Sequence, residues 1–107
     1  MRAETLKGHL DMLLLAAVQA DAAHGYAIAE TLRTRSHGTF DLPEGTLYPA
    51  LHRLERGGLL SSRWSEVGGR RRRVYRLTAK GHTALTDRHS EWTDFARAVQ
   101  SVLKGIA

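Results

Sequence analysis

Four consecutive arginines, Arg70 to Arg73, directly follow the pair Gly68-Gly69. A guanidinium is permanently charged and offers a planar fork of donors, so its natural counterpart is a phosphate or a carboxylate. A second stretch, "EGTLYPALHRLERGGLL" from Glu44 to Leu60, sets Tyr48, His52, Arg53 and Arg56 among leucines at helical spacing. The chemistry these two stretches can do is recognition of a polyanion rather than bond making. The six histidines, His9, His24, His37, His52, His82 and His89, are scattered along the chain. Only His82 and His89 share a helix face, and they stand two turns apart where paired metal ligands usually stand one. No G-x-S-x-G, H-E-x-x-H or phosphate-cradling glycine loop occurs. The chain is therefore read as non-catalytic, with neither a metal nor a cofactor, and His24 as a helix-start or packing residue.

Charge is concentrated where the arginines are. Residues 1–45 carry a net −2, residues 46–81 carry +7 and residues 82–107 are neutral, within a total of +5. A localised basic face is the footprint of a polyanion binder; the competing reading is a solvated, arginine-rich surface. The 107 residues, 42% of them hydrophobic, suit one compact domain. Cysteine is absent, which excludes disulfides and thiolate metal sites. The longest apolar run, Met12 to Val18, is too short to span a bilayer and lacks the pattern of a secretory signal. A soluble, cytoplasmic protein with no membrane partner is expected.

The elements that must position these groups follow from periodicity. Leu6 to about Asp21 is apolar on nearly every side, as in a buried helix. Ile28, Ala29 and Leu32 mark a second helix from Tyr26, ended by Ser36 to Gly38. For the third, Thr46 is the expected N-cap, with Leu47, Tyr48 and Pro49 in the first turn, where the missing N–H of proline costs nothing. Leu47, Leu51 and Leu54 form its apolar stripe, and Gly57-Gly58 its stop. Two extended runs around "VGG" predict a β-hairpin in which Arg71 and Arg73 share a face with Tyr75 and Leu77. Trp64 is read as core or hairpin packing. Thr78 is the expected N-cap of a last helix of roughly 25 residues, or about 37 Å. On it Leu85, Trp92, Val99 and Ile106 recur every seven residues, Phe95 and Val102 fill in between, and Arg88 interrupts. An overlong helix with a heptad-like seam argues for a second copy. Helix, helix, helix, hairpin, helix is the order of a winged helix-turn-helix. The fold class is thus mainly α with a small β-hairpin: a DNA-binding winged unit over residues 1–78 and a C-terminal dimerisation helix over 79–107, in one compact body.

The blocks "LKGHLDMLLLAAV", "HGYAIAETL", "FDLPEGTLYPALHRLERGGLL" and "GGRRRRVYRLTAKG", with the Trp-containing last helix, resemble the PadR family of bacterial transcriptional regulators over nearly the whole chain. The resemblance implies a homodimeric repressor of the short subfamily, bound to a palindromic double-stranded operator. It implies that dimers join through the first and last helices, bringing Leu6 and Leu10 beside the seam of Leu85, Trp92, Phe95, Val99, Val102 and Ile106. It implies DNA contacts from Tyr26 at the start of the second helix, from Thr46, Tyr48, Pro49, His52 and Arg53 on the recognition helix, and from Arg70, Arg71, Arg72 and Arg73 on the wing. Ala27 departs from the acidic residue that many members carry there. Tyr48 has an equal alternative as a ring packed at the elbow of the motif. Some members hold flat hydrophobic effectors between subunits, which makes Trp92, with His89, Phe95 and Ala96, the candidate lining for a small planar ligand; a packed dimer anchor is the favoured reading of Trp92. Two other classes compete: a basic RNA-binding module, which would show aromatics exposed for stacking, and a protein-interaction winged helix, which would not need four arginines at a hairpin tip.

Overall fold

The computed structural model describes residues 3–106. In chain order it contains α1 (Ala3–Leu6), α2 (Leu10–Ala20), β1 (Ala23–His24), α3 (Gly25–Arg35), α4 (Glu44–Arg56), β2 (Leu60–Val67), β3 (Arg70–Leu77) and α5 (Ala79–Leu103). The three strands form an antiparallel sheet in the order β1-β3-β2. This is a winged helix-turn-helix with a long C-terminal helix.

The expected first helix is interrupted. Gly8 takes φ of 91°, a left-handed conformation that a continuous helix excludes, so α2 begins only at Leu10 with Asp11 in its first turn. From there Leu14, Leu15, Ala17 and Val18 are buried against Ile28 and Leu32 of α3, the α4 stripe, Leu60 and Tyr75. The hairpin turns as expected on Gly68 and Gly69, both at positive φ, which suits the tight turn that twisted strands require. Strand β1 was not legible: two residues are too short to show a period. It exists because Ala23 and His24 pair with Tyr75 and Val74, which also gives Val74 its place beside His24 on one face of the sheet.

Thr78 caps α5 as expected, its hydroxyl accepting from the Gly81 N–H at 3.0 Å. The same hydroxyl donates its one proton to the Gly58 carbonyl (2.6 Å), with the Leu59 carbonyl 3.1 Å away, and the Lys80 ammonium donates to the Gly57 carbonyl at 2.9 Å. The C-terminal end of α4 is thereby tied to the N-terminal end of α5. Leu85 is only 8% exposed and packs into the subunit's own core, so its heptad spacing does not leave it on a surface for a second copy. Past Trp92, Phe95 and Val102 of α5 are 58% and 81% exposed. Ile106, expected as the next seam position, is not on the helix: α5 ends at Leu103 and Gly105 at φ 91° turns the chain before it.

Candidate nucleic-acid interface

Helix α4 does not start at Thr46. Pro43 occupies the N-cap position, and its carbonyl accepts from the N–H of Thr46 (2.9 Å) and Leu47 (3.0 Å). Its fixed φ of −70° and extended ψ turn the chain into the helix, and Glu44 follows in the first turn, where the helix dipole favours a carboxylate. Pro49 is therefore an interior residue. It removes the bond that the Gly45 carbonyl would accept, but both residues lie on an exposed face where water can serve instead.

With Leu47, Ala50, Leu51 and Leu54 buried, 3.6 residues per turn place Gly45, Pro49, His52 and Arg56 on the opposite, open face. His52 and Pro49 were expected there. Arg56 was off the apolar stripe in sequence yet absent from the expected contacts, although counting around the helix from Leu47 would have found it. Thr46 and Arg53 lie on the flank toward α2, where they border an open cleft with Asp11, Asp41 and Pro43. Arg53 is held there: its guanidinium donates to Asp11 Oδ1, while Arg88 Nη1 of α5 lies 3.4 Å from Asp11 Oδ2. One carboxylate thus links the recognition helix to α5, which accounts for the arginine that interrupts the apolar seam. Tyr48 lies on the other flank, its ring over Gly25. A β-carbon at Gly25 would fall 2.6 to 2.8 Å from Tyr48 ring and hydroxyl atoms, so Tyr48 packs at the elbow of the motif.

Helix α3 begins close by. Tyr26 is 64% exposed and stacks near His24, with ring centroids 6.3 Å apart. His24 is a helix cap, Nδ1 accepting the Ala27 N–H at 3.3 Å. Burial, and secondly the nearby Arg72 charge, hold its pKa below the usual 6.5. The unfolded chain therefore takes up this proton more readily than the folded one. The cap's contribution is intact above about pH 6.5 and is lost as pH falls through the lower folded value. We expect Tm to fall between pH 7.5 and 5, and His24→Asn, which caps without titrating, to flatten part of that slope. Identical pH profiles for the two proteins would rule out this role.

On the wing, strand alternation splits the arginine run. Arg71 and Arg73 lie on the face of Tyr75 and Leu77, with guanidinium carbons 5.1 and 5.5 Å from the centroid of Trp64. Arg73 also donates to Ser62 Oγ (2.6 Å), which donates to Glu55 (2.6 Å). Trp64 is thus hairpin packing, half-exposed beneath two cations rather than in the core. Arg70 and Arg72 lie on the other face.

Midway along α5, an apolar cavity of about 400 Å³ is lined by Leu6, His9, Met12, Phe40, Trp92 and Phe95, among others. His9 meets Trp92 edge-on at 5.1 Å. His89 and Ala96 do not line this cavity, because they turn to the flank of Trp92 away from Phe95. Among the described residues there is no cluster of three metal-ligating side chains, and no helix is long and apolar enough to cross a membrane.

The model of the transcriptional regulator PadR-like family matches residues 14–87, which contain α3, α4 and the whole hairpin. The chain belongs to this family. The PadR-like regulators are DNA-binding proteins rather than enzymes, so DNA is the partner this membership implies. The chain is 46% identical over 76 residues to the transcriptional regulator Rv3488 of Mycobacterium tuberculosis, covering 71% of this chain and 68% of that protein. A PadR family regulator from Eggerthella lenta has a similar structure, with a TM-score of 0.81 and 34% identity over 95% of this chain and 88% of the other. A transcriptional regulator from Clostridium thermocellum superposes with a TM-score of 0.87 at 25% identity, over 95% and 100% of the two chains.

Proposed function

We propose that this PadR-like regulator is a cytoplasmic repressor that binds a two-fold symmetric operator as a homodimer and is released by a small planar hydrophobic ligand. The observation that carries the reading is the open face of α4, where Gly45, Pro49, His52 and Arg56 stand exposed beside a basic hairpin. A slim helix with polar groups on its free face fits the major groove, whose base edges display a readable donor and acceptor pattern. Tyr26, Thr46 and the wing arginines Arg70 to Arg73 serve the flanking phosphates, and these contacts set register more than sequence. Arg53 joins them by exchanging Asp11 for DNA.

The second copy covers the apolar surface of α5. Trp92, Phe95, Val99 and Val102 meet their symmetry mates, with Ile106 just past the helix end and Leu6 and Leu10 at the margin, and the two recognition helices stand about 34 Å or a multiple apart. The cavity at Trp92 and Phe95 then lies next to the two-fold axis, where a planar effector can stack on the indole.

Fluorescence anisotropy against the duplex upstream of the protein's own gene, beside a scrambled duplex and from low to physiological salt, tests the reading. Preference for the native duplex that survives physiological salt is expected, and His52→Ala should change which sequence is preferred while leaving the salt dependence in place. Equal, salt-labile binding to both duplexes would mean that the basic surface sees only phosphates.

A further inference from the structure

The ladder between β2 and β3 pairs Arg63 with Val74, Ser65 with Arg72, Val67 with Arg70 and Ser61 with Arg76. Because side chains alternate along a strand, Arg63, Arg70, Arg72 and Arg76 all emerge on one face of the hairpin, opposite the one that carries Trp64, Arg71 and Arg73. The two faces differ in chemistry. Glu66, the hairpin's single carboxylate, lies across from Arg71 on the Trp64 face. Arg73 reaches Glu55 at 3.6 Å on that same side. Among the described residues, none of the four outer arginines has a salt-bridge partner. Arg63, Arg70 and Arg76 are exposed, and Arg63 and Arg76 border an open cleft of about 250 Å³ with Ser61 and Ser62.

Four unneutralised guanidiniums on one face repel each other, and apart from Arg72, half-buried near His24, they are exposed rather than packed. Trp64 and Tyr75, which do pack, are on the other side. From Arg70 to Arg76 the strand covers about 20 Å. A DNA strand carries one phosphate per roughly 3.4 Å of helix axis, so a row this long matches a run of backbone rather than a single anion. No aromatic side chain stands among the four for an unpaired base to stack on, which favours a duplex over single-stranded RNA.

We propose that the whole outer face of this hairpin, and not its tip alone, is a surface for the phosphates of duplex DNA, with Arg63 and Arg76 as contacts beyond those already named. The proposal rests on the DNA-binding reading above and extends it from the tip of the wing to its base. Arg71 and Arg73, already held by Trp64, Ser62 and Glu55, add less to the phosphate contacts than the outer row and also stiffen the hairpin.

Two double variants that remove equal charge separate the faces: Arg63→Gln with Arg76→Gln, and Arg71→Gln with Arg73→Gln. Each is titrated with a 40-base-pair duplex of arbitrary sequence over a range of salt, and its thermal unfolding is recorded. The outer pair should lower the slope of log Kobs against log salt by about two per bound subunit, at roughly 0.9 per phosphate, with Tm unchanged. The inner pair should lower Tm while changing the slope less. An outer pair with the slope of the unaltered protein overturns the proposal, as do equal losses of slope from the two pairs. A loss confined to single-stranded RNA of the same length would assign the face to that partner and overturn it too. If the unaltered protein shows no salt-dependent duplex binding, the DNA reading itself fails along with this extension. A normal slope for the unaltered protein with no effect of the outer pair removes the extension alone.

Discussion

Val102→Asp combined with Phe95→Asp is expected to leave the subunit folded but monomeric at micromolar concentration, and to weaken operator binding by about 100-fold or more. Val102 is 81% and Phe95 58% exposed in the single subunit, so neither contributes much to the subunit's own core. Burying such side chains against a second copy is worth about 2 kcal/mol each, and every substitution acts twice across a two-fold axis. Two aspartates from each subunit also place like charges where apolar contacts are proposed. The loss on DNA follows from linkage of the half-sites: once one recognition helix is seated, the second binds at a high effective concentration, and breaking that connection forfeits a factor of about 10² to 10⁴. Sedimentation gives the mass, circular dichroism the fold and anisotropy the affinity. A variant that remains dimeric with full operator affinity would show that the subunits meet elsewhere.

Gly81→Ala is expected to destabilise the fold by about 3 kcal/mol, lowering Tm by roughly 10–20 °C for a chain of this size. In an ordinary helix this change would be favourable by about 1 kcal/mol, because glycine loses more backbone freedom on folding. Here a β-carbon would fall 2.1 Å from the Leu59 carbonyl oxygen and 3.0 Å from its carbonyl carbon. Those atoms are backbone, so no rotamer change relieves the overlap and α5 must move away. That movement pulls on the Thr78 and Lys80 hydrogen bonds to residues 57–59, the same bonds that tie α5 to the end of the recognition helix. Urea and thermal unfolding measure the effect; a neutral or stabilised Gly81→Ala would mean that this close approach does not persist in solution.

These two expectations differ in what they needed. The apolar face of α5 was legible from spacing at Trp92 and Val99, seven residues apart, though not at Ile106, which lies past the helix end, and the Thr78 cap was legible too. So were the Gly68-Gly69 turn and the Leu47, Leu51 and Leu54 stripe. Each depends on groups close together in the chain or on a repeat that one element displays along its length. The blocks around the recognition helix and wing were distinctive enough to point to the PadR family, and with it to the fold.

The approach of Gly81 to Leu59 was not legible, because the two residues are brought together only when α5 docks on the α4–β2 junction. The same holds for Asp11, whose two oxygens face arginines on two other helices, and for β1, which exists through pairing with β3. Thr46 was a sound cap by residue type, but it lost to Pro43 and Glu44, whose backbone geometry and charge start the helix earlier. Composition made the hairpin basic, whereas hairpin register decided which arginines are held by Trp64, Ser62 and Glu55 and which stand free. The sequence by itself determined the elements, their order and the charge they carry, because propensity, capping and periodicity act over a few residues. Only the tertiary structure decided which of those charges are already paired and which are open to a partner, because pairing depends on contacts between distant parts of the chain.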